Sequence, residues 1–215
     1  MTSEWQGVLD PDVLNDDLVE HSARLADAAK AGSWDTVLDL VEQGTWSTAN
    51  QWRVTGRSWF TPLHQAAWLG APVGVAERLL RAGAWRSLRT AEGGRPLDIA
   101  RQRGHHHLLE ALAVRDLGAA DQRRVTAWDS HLADLIAERT RPLAPVRFRP
   151  VPTELLVVER MESLWVPYPG MYGGFSLSVH RDRLVVESWS RVAGGSGQAH
   201  VITESGSVMV EEGFA

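Results

Sequence analysis

The stretch that most restricts this chain is a near-repeat, "TPLHQAAWLGA" at residues 61–71 and "RPLDIARQRGH" at 95–105. Pro62 and Pro96, Leu63 and Leu97, Ala66 and Ala100, and Gly70 and Gly104 all stand 34 residues apart. A fixed offset of this size marks stacked helical units, each too small to bury its own apolar face. Thr61 is placed to cap a helix, Pro62 to occupy its first turn where a missing N–H costs nothing, and His64 to hydrogen-bond within that turn. "VGVAERLLRAGA" supplies a second helix, apolar at helical spacing and closed by Gly83. A weaker copy, "LADAAKAGSWDTVLDLVEQG" at 25–44, keeps Ala28, Ala29, Gly32 and Gly44.

These residues resemble the ankyrin repeat family, in three copies over residues 22–113, and the whole chain resembles bacterial ankyrin repeat domain-containing proteins with a small C-terminal β domain of unknown activity. The resemblance implies protein binding through fingers and through the concave face of the first helices, where Gln65, Trp68 and Leu69 are the variable positions of the middle copy. The first copy lacks TPLH, and the third carries Arg95 and Asp98 in place of Thr and His. Gly32 and Gly70 are 38 residues apart rather than 34, and the extra length falls in "TWSTANQWRVTGRSWF". That finger holds Trp46, Trp52 and Trp59 with Arg53 and Arg57 interleaved, and Trp85, Arg86 and Arg89 begin the next one. Exposed aromatics beside Arg make binding hot spots, whereas packing is the competing use of so large a side chain; at least two of these Trp are expected to be buried.

"GHHHLLEAL" at 104–112 has three adjacent His. Successive helical side chains point about 100° apart and do not converge on one ion, so a structural role is expected and no metal site.

Beyond Val114, the residues Val125, Trp128, Leu132, Leu135 and Ile136 recur at helical spacing, which predicts one amphipathic connecting helix within 114–140 that caps the last repeat. "RPLAPVRFRPVP" at 141–152 cannot continue it and reads as an extended connector. From residue 153 to 215 the period changes to two: "ELLVVER", "SLWVPYP", "GGFSLSVH", "RLVVESWSR", "QAHVITE" and "SVMVEEGF" are short alternating segments separated by turns. The expected class is therefore α+β: an acidic segment over 1–21, an all-α repeat stack, the helix, the connector, and a small antiparallel meander with Phe175, Leu177 and Val179 facing the core.

The glycine cluster in "RVAGGSGQAH", residues 191–200, matches no phosphate loop, because it lacks a Lys, and no nucleophile elbow, because its second Gly comes one residue early. It reads as a hairpin loop. Catalytic residues, cofactors and metals are accordingly expected to be none, and the leading reading is a non-enzymatic cytoplasmic adaptor, immunity or antitoxin-like, for a partner protein. The rival is an enzyme or small-ligand sensor with its site on the β domain at Tyr172, Trp189, Arg191 and His200, and the repeats as targeting. Zero Cys excludes thiolate zinc sites and disulfides, and no run of about 18 apolar residues reads as a membrane span. A net charge of −5 disfavours nucleic acid, although residues 78–124 hold ten Arg against five acids.

Overall fold

The computed structural model describes residues 3–43, 48–191 and 196–213. The chain divides into two units: Asp10–Arg115, which is helical, and Met1–Leu9 together with Asp116–Ala215, which holds the sheet. The acidic segment expected over 1–21 is thus split, its first residues going to the sheet unit and the rest to the helical one.

In the helical unit, helix α1 (Asp16–Ala31) starts where Asn15 accepts a hydrogen bond from the Asp17 N–H at 2.8 Å and stops at Gly32, which adopts a left-handed φ of 70°. After α2 (Trp34–Gln43) come α3 (Pro62–Leu69), α4 (Val73–Arg81), α5 (Pro96–Arg103) and the short α6 (Leu109–Leu112). Two rows result: α1 meets α3 and α3 meets α5, while α2 meets α4 and α4 meets α6. Leu25, Ala29, Leu63, Ala66, Leu97 and Ala100 of the first row are buried against Val37, Leu38, Ala76, Leu79 and Leu112 of the second. Alanine at 29, 66 and 100 lets the backbones close in. Each first-row helix ends on a left-handed glycine, at 32, 70 and 104. At Gly70 the requirement is double, since a Cβ there would stand 2.5 Å from the His105 ring.

The 34-residue offset has a hydrogen-bonding counterpart. The Thr61 N–H donates to Nδ1 of His64 at 3.2 Å, so this buried imidazole carries its proton on Nε2, which donates to the Leu88 carbonyl at 3.0 Å. At the corresponding turn 34 residues on, the same backbone N–H, that of Arg95, donates to the Asp98 carboxylate at 3.0 Å. Asp98 closes the turn but cannot also donate onward, as His64 does to Leu88.

Among the described residues the sheet unit carries six strands in the order β1 (Ser3–Glu4), β2 (Leu164–Tyr168), β3 (Gly173–His180), β4 (Arg183–Ser190), β5 (Ser196–Thr203) and β6 (Gly206–Glu212). β1 is parallel to β2 and all other pairs are antiparallel. The meander matches the alternation in sequence, with Phe175 and Leu177 buried; the parallel strand from the N-terminus was not foreseen. The "GG" of "MYGGF" lies where strands come too close for side chains: a Cβ on Gly174 would stand 2.2 Å from the Val166 carbonyl oxygen. "ELLVVER" is a correction, because α8 (Glu154–Val158) is helical rather than a strand. Its apolar run is too short for periodicity to decide, and backbone bonds from Leu155 to Pro152 and from Leu156 to Thr153 start the turn.

The connecting helix α7 (Ala119–Thr140) belongs to this unit. It packs on β5 and β6 with Val125, Trp128, Leu132 and Leu135 buried. Residues 141–152 then run back along α7 as an extended strap. The strap is tied to the helix at both ends, by Leu143 N–H to the Thr140 carbonyl at 2.9 Å and by Thr153 N–H to the Asp129 carboxylate at 2.7 Å. Residues 5–9 hold its other edge: Val8 pairs with Phe148, the Leu9 N–H donates to Arg147 and the Arg149 N–H to Gly7. Trp5 Nε1 adds a bond to the Arg149 carbonyl at 3.0 Å. No described helix is long and apolar enough to cross a membrane.

Replacing His64 with Ala strands a buried carbonyl and leaves a cavity, and is expected to cost about 3 kcal/mol. Chemical denaturation followed by circular dichroism checks this; a loss below about 1 kcal/mol would show that the Thr61–His64–Leu88 chain is not what holds the start of α3.

Candidate functional site

The residues expected to form the protein-binding surface divide by burial. Trp46 lies outside the described residues. Trp52 is 1% exposed and Trp85 8%, so two of the finger tryptophans are spent on packing. Trp59 is partly buried with a positive φ of 57°. The segment before it is stitched to the following loop: Asn50 donates to the Gly83 carbonyl and accepts from the Trp85 N–H, both at 2.8 Å. The arginines are engaged as well. Arg53 pairs with Asp27, Arg86 donates to the Ala111 carbonyl at 2.9 Å, and Arg89 to the Gly93 carbonyl at 2.9 Å.

What stays at the surface is on α3. Trp68 is 40% exposed and Leu69 44%, with Gln65 half-buried one turn earlier. Trp68 is held in place from two sides: the Phe60 ring meets it edge-on at 6.0 Å, and the Arg103 guanidinium lies 4.4 Å from its ring centroid. The His cluster serves this same region, since His105 Nε2 contacts the Trp68 carbonyl at 3.2 Å and His107 Nε2 the Ala71 carbonyl at 3.1 Å. Among the described residues no group of three or more His, Cys, Asp or Glu is arranged to hold a metal ion.

The four residues suggested as a ligand site on the β domain are not one constellation. Val186 and Trp189, three apart on β4, face opposite sides of the sheet, and His200 is registered with Val186. His200 therefore lies under α7, while Trp189 packs on Trp165 at 5.9 Å on the far face. Tyr172, 78% exposed, and Arg191 sit at one end of the sheet, where the Arg191 N–H bonds the Met171 carbonyl. Gly194 and Gly195 lie outside the described residues, but the strands on either side of the cluster pair antiparallel, Ser190 opposite Ser196. His200 instead shares a cleft of about 580 Å³ with Arg139, Glu138, His131 and Asp134. Arg139 bonds Ser188 Oγ at 3.1 Å and the Ser196 carbonyl at 3.0 Å. Burial, reinforced by the Arg139 charge, holds the His200 pKa below its ordinary value, which keeps the ring neutral.

A second concavity was not anticipated. Between α7 and the strap runs a groove of about 560 Å³, walled on one side by Leu132, Ala133, Ile136 and Ala137 and on the other by Val146, Phe148 and Val151. Asp129 lines one end and Thr140 and Arg141 the other. Both hydrogen bonds from Thr153, N–H and Oγ–H at 2.7 Å each, fall on Oδ1 of Asp129. Burial pushes the Asp129 pKa up to about 6, with nearby Glu154 adding to the rise against the lowering effect of the Thr153 bonds. The sequence did hold a signal: Asp129 is four residues after Val125 and three before Leu132, an acid on the margin of an otherwise apolar stripe.

Because this carboxyl binds its proton more tightly folded than unfolded, its contribution to stability is full below about pH 4 and is lost as pH rises through about 6. Asp129→Asn keeps an oxygen for both Thr153 bonds and removes the desolvated charge. It is expected to stabilise the protein near pH 7.5, by on the order of 2 kcal/mol, and to have almost no effect near pH 4. Denaturation at the two pH values checks this, and a variant less stable at both would show that the charge is needed to hold the strap. No family model matches this chain, and no curated protein matches it either.

Proposed function

We propose that the helical unit is an ankyrin-type repeat stack and that the protein is a non-enzymatic binding module, an adaptor or an immunity-type protein, that grips a partner protein through α3. The observation that carries this reading is the pair Trp68 and Leu69, two large apolar side chains adjacent at the surface of the helical unit, whereas its other exposed large apolar residue among those described, Val13, stands singly. Trp68 is fixed by Phe60 and Arg103, so little side-chain freedom remains to be lost on binding. The matching partner surface has an apolar pocket for the indole, bordered by acidic groups that face Arg103. Support for the repeat assignment comes from the two rows of helices, the left-handed glycine that ends each first-row helix and the 34-residue offset of α3 and α5.

The test uses the intact protein as bait in an extract of its host, beside Trp68→Ala and a control, Arg123→Ala, on the sheet unit. Trp68→Ala is expected to weaken capture by about 2–4 kcal/mol, and the control to leave it unchanged. Since Trp68 is well exposed, thermal stability should move little. Equal recovery of the same partner by wild type and Trp68→Ala would remove α3 from the interface.

A further inference from the structure

We propose that the groove between α7 and the strap binds an elongated, apolar small molecule with a single ammonium head, seated on Asp129. The site belongs to the sheet unit and does not depend on the role proposed for the helical one.

The shape comes first. Asp129, Leu132, Ala133, Ile136, Ala137 and Thr140 recur at the spacing of one helix face, so the groove follows α7 for about 17 Å. Its volume of about 560 Å³ is within the range of small-molecule pockets, roughly 300–1,000 Å³. Two facing apolar surfaces would ordinarily close on each other. Here the strap is pinned at Thr140 and Asp129, and its outer edge is bonded to residues 7 and 9, so it stands off the helix between its ends. The space is built into the backbone, and the described residues that line it do not fill it.

The chemistry fixes the head group. Among the described residues only two charged ones line the groove, and they are 12 positions apart on the chain. Arg141 is exposed to water at one end. Asp129 is at the other, with the carboxylate of Glu154 near it and with no cation in ion-pair distance among the described residues. Thr153 occupies only Oδ1. An ammonium would add a hydrogen bond and the missing countercharge, a hydroxyl head only a hydrogen bond, and a carboxylate head would be repelled.

Octylamine, octanol and octanoate share one apolar body and differ in the head, and calorimetric titration of the intact protein near neutral pH compares them. The expected result is saturable binding of one octylamine, about tenfold or more tighter than octanol, with octanoate weakest. Asp129→Asn should bring the amine to the level of the alcohol and leave the alcohol unchanged. Ala133→Trp or Ala137→Trp, both at exposed positions on α7, should fill the groove and abolish binding of both, with circular dichroism confirming that the variants fold. Equal affinity for the three heads, the same loss of alcohol as of amine in Asp129→Asn, binding of several equivalents unaffected by either tryptophan, or no saturable binding would each overturn the proposal.

Discussion

The arrangement of the sheet unit depends on one pair of hydrogen bonds, from the N–H and Oγ–H of Thr153 to a single carboxylate oxygen of Asp129. They end the strap, begin α8 and fix both to the middle of α7, which in turn covers β5 and β6. A carboxylate is suited to this, because one oxygen can accept two bonds at once while the other stays available. Its burial beside Glu154 works against the charged form. A residue chosen only to hold the strap could have been neutral, which is why the charge at Asp129 points beyond scaffolding.

What the residues announced in advance depended on how local its cause was. The 34-residue offset was legible because each recurring residue acts within one turn or one helix contact: Pro62 starts a helix, Gly70 ends it, Ala66 admits a neighbour. The strands were legible for the same reason, since alternation is a property of a few adjacent residues, and Phe175 and Leu177 face inward as their pattern requires. The misreadings arose where distant residues decide. Nothing near Ser3 indicates that it lies beside Leu164, and "ELLVV" becomes helical because Thr153 is anchored to a residue 24 positions earlier.

The same distinction applies to function. Trp52 and Trp68 carry the same expectation of exposure, yet one is buried and the other is at the surface. Burial is set by everything packed around a residue, and composition cannot report it. His200 and Trp189 seemed neighbours because a hairpin joins their strands, but the parity of the register sends them to opposite faces. The groove was invisible for a related reason: it is a space between two segments, each of which reads as ordinary alone.

The strand at residues 3–4 imposes an order of assembly. Residues 3–9 are synthesised before the helical unit, yet their partners, the strap and β2, are made only after that whole unit has emerged. The helices need only neighbours close in sequence, and contacts of that kind form fast. This segment must therefore wait, with Trp5 and Val8 unburied, while a complete unit folds downstream of it. Residues 3–9 precede the helical unit in synthesis and follow it in folding, and the nascent chain keeps an adhesive segment uncovered until synthesis has passed residue 165.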